Sequence, residues 1–209
     1  NMTVTIPQRR ELQVLQRGIS AASSVSNGNG FSIAFDIGTT TVVGFLLDGG
    51  TELAFESARN PQAVYGADVI SRIQYALKTD GAVLTKVIRE CLTELTEKLC
   101  RKARVEASQI RRVSIVGNPA MQQLFLGISP ENLARLPFAP VLTEGKRVKT
   151  SEYLPVWEKA EMLIVPDISG FVGADTVACM LATQLDEEEE MTLLVDIGTN
   201  GEMVLGNRE

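Results

Sequence analysis

The sequence has no histidine among its 209 residues. Without an imidazole, Ser-His and Cys-His nucleophilic mechanisms and histidine-bearing metal sites are excluded. Cysteine is scarce too. Cys91, Cys100 and Cys179 are scattered and match no C-x-x-C spacing. They read as reduced thiols in or near a core, Cys91 and Cys179 on apolar helix faces and Cys100 near a helix end. This segment by itself therefore holds neither an iron–sulfur cluster nor a structural zinc. The single tryptophan, Trp157, reads as a packing residue. No apolar stretch approaches the roughly 18 residues of a membrane span, and no n-region followed by an h-region opens the chain. A membrane partner is not expected, and a cytoplasmic location is the default. The formal charge of −6 leaves no basic face to neutralise phosphates of a nucleic acid. Much of that acidity is one run, Asp186 to Glu190, which reads as a solvated helix end and loop.

What is present is an ordinary globular composition, 44% hydrophobic and 22% charged, with enough apolar residues for a sizeable core. Residues 1–30 read as an arm and linker, with a short strand at Thr3–Ile6, a short helix at Glu11–Ile19 and a Ser/Asn/Gly boundary at Ala21–Gly30. Strands are expected at Phe31–Asp36, Thr41–Asp48 and Glu52–Ser57, joined by short turns into an antiparallel meander. Val69, Ile70, Ile73 and Leu77 give helical spacing over Gly66–Ala76. Leu84, Ile88, Cys91, Leu92, Leu95 and Leu99 make one apolar stripe on a long helix ending near Ala103. A strand at Arg112–Val116 leads into a helix at Ala120–Leu126. Ser129–Lys149 reads as a loop-rich excursion, Glu161–Val165 as a strand, and Gly173–Leu185 as a helix of small residues. A last hairpin pairs Met191–Asp196 with Glu202–Leu205.

That last hairpin restates the first. FSIAFDIGTTTVVGFLLD and MTLLVDIGTNGEMVLGN both run from an apolar strand through Asp-Ile-Gly-Thr into an apolar return strand, with the two aspartates 160 positions apart. The separation suits two related halves of one domain, being far too long for a solenoid repeat. Gly38 and Gly198 let the backbone turn sharply and approach a ligand without a Cβ in the way. Amides of the residues that follow, Thr39, Thr40 and Thr41 in one copy and Thr199, Asn200 and Gly201 in the other, then form an anion-binding concavity. The threonine hydroxyls add donors. Asp36 and Asp196 supply hard oxygen ligands for Mg²⁺, usually through its waters. Two such loops facing across a cleft would grip the β- and γ-phosphates of ATP, with catalysis coming mostly from positioning and charge stabilisation.

At these residues the sequence resembles the actin, sugar-kinase and heat-shock-chaperone ATPase superfamily, AFDIGTTTV its first phosphate motif and VDIGTNGEMVL its second. The resemblance implies an α/β fold: a ribonuclease-H-like lobe with a mixed sheet over 31–190, and the first hairpin of a second lobe over 191–209. The Gly-rich adenosine loop of that superfamily is expected beyond Glu209, so the second lobe is expected to be truncated and the fragment by itself inactive. Five strings, AFDIGTTTVVGFLLD, NPQAVYGADVISRI, SIVGNPAMQQLFLG, SGFVGADTVACMLATQL and LLVDIGTNGEMVLGN, more narrowly resemble reductive activators of corrinoid proteins. That resemblance implies ATP-dependent reduction of cob(II)amide to cob(I)amide in the corrinoid protein of a methyltransferase system. It also implies a [2Fe-2S] ferredoxin domain, expected only in an N-terminal part outside this chain. A small-molecule kinase of the same fold and a non-catalytic nucleotide-sensing module are the alternatives. The exposed edge of the last hairpin invites pairing with another chain, so a homodimer is a further expectation.

Four positions admit two readings each. Asn118, between a strand and a helix, positions an attacking water or a phosphate, or is a turn and N-cap. Asp175 reaches the metal or its water, or complements a helix dipole. Asp167 is a weaker candidate of the same kind, and Glu202, directly after the second loop, touches metal or water. Asp68 and Arg72, four apart at a helix start, are spaced for a surface pair, in a segment that the resemblance makes a cleft-side or partner-facing element and the spacing equally a helix N-terminus.

Overall fold

The computed structural model describes residues 30–154, 157 and 159–209; the expected strand at Thr3–Ile6 and helix at Glu11–Ile19 lie outside them. The meander forms as the alternation requires, with β1 (Phe31–Ile37), β2 (Thr41–Asp48) and β3 (Thr51–Arg59). Ile33, Phe35 and Ile37 of β1 and Val42 and Leu46 of β2 are buried on one face. Three further strands, β4 (Ile110–Gly117), β5 (Lys146–Lys149) and β6 (Glu161–Ile164), complete a six-stranded mixed sheet of order β3-β2-β1-β4-β6-β5. β1, β4 and β6 are parallel, and the other pairings are antiparallel.

Four helices accompany the sheet: α1 (Val69–Thr79), α2 (Ala82–Ala103), α3 (Pro119–Leu126) and α4 (Ala174–Thr183). α2 lays its expected stripe, Leu84 through Leu99, against β2 and β3 and into the main core. Trp157 is buried in the same core, as a packing residue should be. A two-stranded sheet of β7 (Thr192–Ile197) and β8 (Gly201–Gly206) stands apart from the six strands and touches α4. One of its faces, Leu193, Val195, Ile197, Met203 and Leu205, is exposed. No helix among the described residues is long and apolar enough to cross a membrane.

Three expectations need correction. The Ser129–Lys149 excursion contains β5, whose sequence KRVK carries no apolar alternation to announce it; a short charged edge strand is held by its ladder to β6 alone. In α1 the stripe faces differently from its spacing. Ile70 and Leu77 are 52% and 44% exposed, whereas Arg72, Ile73 and Ala76 are buried. The helix starts at an Asp68–Ser71 capping box, in which Asp68 accepts from Ser71 N and Ser71 Oγ accepts from Asp68 N. The guanidinium of Arg72 turns inward to backbone carbonyls, which rotates the face of the helix that meets the core. The expected Asp68–Arg72 surface pair does not form, because one partner caps the helix and the other is inside the protein.

The topology places the site. Parallel β1, β4 and β6 all end on one edge of the sheet, so the segments that follow them converge there: Gly38–Thr40, Asn118, and Asp167. In open α/β sheets this carboxyl edge is where ligands bind.

Candidate functional site

The first loop joins β1 to β2. A Cβ on Gly38 would lie 2.6 Å from the Thr41 carbonyl oxygen, so only glycine allows this turn to close. The second loop joins β7 to β8, where Gly198 N donates to Asn200 O at 2.9 Å. The two loops meet, with Thr40 Oγ1 and Thr199 Oγ1 sharing a hydrogen bond of 2.9 Å across 159 positions of sequence. Replacing Thr199 by Val removes that contact. Such a hydrogen bond is worth about 1 kcal/mol at most, so a loss of stability of up to about 1 kcal/mol is expected by urea unfolding.

Asn118 is the turn and N-cap of its second reading, and it also reaches the first loop. It is the N-cap of α3, accepting from Met121 N, and its Nδ2 donates to Thr39 Oγ1 at 3.1 Å. Gly173 makes this approach possible from the other side, since a Cβ there would lie 2.7 Å from both Asn118 Cα and Gly117 O. Asn60 repeats the device: it precedes Pro61, accepts from Gln62 N, and donates Nδ2 to Gly38 O at 2.8 Å. Thr41 opens β2 with its side chain exposed.

Carboxylates gather beside the loops. Burial pushes Asp36 up to about 6, with Asp175 and then Asp196 adding repulsion. Its side chain remains open to cleft water, and that screening keeps the energetic consequence below that of a sealed group. Asp175, on the first turn of α4, is raised by burial and, less, by Asp196, against the Thr176 N–H that its Oδ1 accepts. Glu202, opposite Asp196 in the β7–β8 ladder, is raised by burial and by the same two neighbours. Asp167 is only 4% exposed, and burial pushes it up to about 7. The Ala174 amide pulls the other way, but neither Asp167 oxygen has a hydrogen bond of good geometry. No Lys or Arg forms an ion pair with any of these five groups among the described residues.

Cys179 departs from its expected place in an apolar core. Its thiol donates to Asp196 Oδ2 at 3.8 Å and is pushed up to about 12 by burial and then by Asp196, Asp175 and Asp36. Cys179 is only half-buried, and what lies against it is the acidic end of β7. Cys91 and Cys100 are buried, as expected. The three cysteines do not converge, so these residues do not fit an iron–sulfur cluster. The acidic groups are of the donor type that a hard cation takes and lack a basic partner, but among the described residues no three of them approach closely enough to ligate a cation directly.

A cavity of about 380 Å³ adjoins the loops, lined by Ile70, Ile73, Asn118, Phe171, Asn200 and Glu202 among others. Of the residues that the sequence put forward, Asp36, Gly38, Thr39, Thr40, Asn118, Asp175, Asp196, Gly198, Thr199, Asn200, Gly201 and Glu202 lie in or beside these two loops. It missed Asn60, Arg72 and Cys179 as individual residues. The signal for Asn60 was available, because Asn60-Pro61 and Asn118-Pro119 repeat one cap.

Residues 31–188 match the model of the family described as the RACo middle region. The chain belongs to that family. It is 38% identical over 182 residues to the corrinoid activation enzyme RamQ of Eubacterium limosum, covering 85% of this chain and 30% of that protein. It is 26% identical over 186 residues to the [Co(II) methylated amine-specific corrinoid protein] reductase of Methanosarcina barkeri, covering 84% of this chain and 34% of that protein. Among solved structures, a reductive activator for a corrinoid, iron–sulfur protein superposes with a TM-score of 0.82 at 37% identity, over 88% of this chain and 30% of that one. The chain thus spans about a third of the length of these RACo-family relatives, and the resemblance carried by the five strings holds.

Proposed function

We propose that the chain is the ATP-binding part of an ATP-dependent activator that supports reduction of cob(II)amide to cob(I)amide in the corrinoid protein of a methyltransferase system. In this reading residues 31–190 are a ribonuclease-H-like lobe of the actin-type ATPase fold, and β7–β8 opens a second lobe. The observation that carries it is the meeting of two Asp-Ile-Gly-Thr loops at Thr40 and Thr199, with Asp36 and Asp196 behind them. The names of the relatives supply the corrinoid substrate.

The loop amides and the hydroxyls of Thr39, Thr40 and Thr199 bind phosphate oxygens. Asp36 and Asp196 would hold a Mg²⁺ ion through its waters, and the ion would supply charge that offsets that of the phosphates. Asn118 fixes the Thr39 hydroxyl, and Asp175 and Glu202 lie near enough to orient water. The electron that converts cob(II) to cob(I) comes from a reduced low-potential iron–sulfur donor outside these residues.

The test follows the corrinoid protein by visible absorption with such a donor and the whole protein, with and without Mg·ATP. The cob(I) band should appear only with Mg·ATP, and ATP hydrolysis should rise when the corrinoid protein is added. Equal reduction without nucleotide would overturn the proposal. The 380 Å³ cavity beside the loops favours one second reading, a small-molecule kinase of the same fold. Phosphorylation of a small acid or sugar, unaffected by the corrinoid protein, would establish it instead.

A further inference from the structure

Every carbonyl of the first loop is tied back into the protein. Asn60 Nδ2 donates to Gly38 O at 2.8 Å, Arg72 Nη2 to Thr39 O at 2.7 Å, and Asn60 N to Thr40 O at 2.9 Å. In a planar trans peptide the C=O and the next N–H point in opposite directions. Holding these three carbonyls inward therefore turns the amides of Thr39, Thr40 and Thr41 outward, away from Asn60 and Arg72.

Arg72 is the unusual member. It is 0% exposed, yet it pairs with no carboxylate within ion-pair distance among the described residues. Its other donors go to Gly66 O at 2.9 Å and to Met121 Sδ at 3.2 Å. Asp68, its nearest charged neighbour, lies exposed at the helix cap, where water screens it. A buried charge is expensive unless compensated, and neutral donors would satisfy the same carbonyls, as Asn60 does. Among the described residues no carboxylate pairs with Arg72, and the loop it holds faces the phosphate site proposed above.

We propose that Arg72 and Asn60 are positioning residues that hold the first loop with its amides facing the cleft, and that Arg72 is the buried countercharge for an anionic phosphate bound on the loop's other side. This rests on the phosphate reading above and adds to it the parts that preorganise the loop. Neither residue touches the ligand.

The whole protein and its Arg72→Gln, Arg72→Lys and Asn60→Ser variants are compared by amide hydrogen exchange and by titration with inorganic tripolyphosphate and with adenosine. Exchange is read at the buried amide of residue 60, whose N–H is bonded to Thr40 O. Arg72→Gln should raise exchange there tenfold or more while residues 84–99 stay as protected as in the parent. It should weaken tripolyphosphate tenfold or more and leave adenosine unchanged. Arg72→Lys, which keeps the charge but not the planar fork, should recover part of the tripolyphosphate affinity without restoring protection of that amide. If Arg72→Gln lowers protection throughout the protein, Asn60→Ser decides, since it removes a neutral side-chain donor from the same loop. Parental exchange at residue 60 in a folded Asn60→Ser or Arg72→Gln protein would overturn the proposal, as would equal weakening of adenosine and tripolyphosphate. A parent protein that binds no tripolyphosphate would overturn the phosphate reading itself, and the exchange measurement would still decide whether the loop is held as described.

Discussion

Asp36→Asn is expected to lower Mg·ATP-dependent activity of the whole protein by a hundredfold or more. In the proposed reading the substitution keeps the size of the side chain and removes the charge that would orient the waters of the cation. Removing one preorganised electrostatic group from such a site costs about 3–4 kcal/mol, or roughly 10²–10³ in rate. Asp196→Asn should cost a similar amount, and the double variant little more than either alone, because in that reading both carboxylates would serve one ion. Initial rates over a Mg²⁺ titration check this, with the variants showing a raised Mg²⁺ requirement as well as a lower maximum. Wild-type rates at low Mg²⁺ in Asp36→Asn would remove Asp36 from the site. A pH series adds a second readout. With no cation bound Asp36 stands at about 6, so cation affinity should fall as pH drops through 6 in the parent and stay flatter in Asp36→Asn.

Asp167→Asn is expected to stabilise the ligand-free chain at pH 8. The sign follows from linkage. A carboxyl whose folded value lies above its unfolded value of 3.8 contributes nothing when both states are protonated, below about pH 4, and destabilises the folded state increasingly as pH rises toward the folded value. For Asp167 that rise ends near pH 7, above which the penalty is constant. One unit corresponds to about 1.4 kcal/mol, so a penalty on the order of 2–4 kcal/mol at pH 8 is expected after partial screening. Asparagine has no charge to bury and brings donors to a place where neither oxygen is bonded. Urea unfolding of parent and variant at pH 4, 5 and 8 should show a gap that is small at pH 4 and largest at pH 8. A parent that gains stability between pH 5 and pH 8 more than the variant does would contradict the assignment. Asp36, Asp175 and Glu202 are shifted in the same direction. The variant should therefore still lose some stability across this window.

The residues legible in the sequence are those whose structural reason is local. The alternation in FSIAFD and TVVGFLLD, the stripe from Leu84 to Leu99 and the two Asp-Ile-Gly-Thr turns each depend on neighbours within a few positions. They produced β1, β2, α2 and both loops close to their expected bounds. Where the deciding partner is remote, the pattern misled or said nothing. β5 is a strand because β6 lies beside it. The spacing of α1 pointed Ile70 and Leu77 inward, and the carbonyls of Gly66 and Thr39 reversed that by drawing in Arg72. Cys179 was expected on an apolar face, but it is half-buried against Asp196.

The sequence by itself determined the RACo-family resemblance, the two loops and the identity of their aspartates, because a glycine turn after an apolar strand is written in consecutive residues. Tertiary structure alone decided that Thr40 and Thr199 touch, that Asp36, Asp175 and Asp196 share one field, and that Asn60 and Arg72 stand behind the first loop. Those relations join residues tens to more than a hundred positions apart. Only the order and direction of the strands, set by burial of the sheet's apolar face, bring them to one edge.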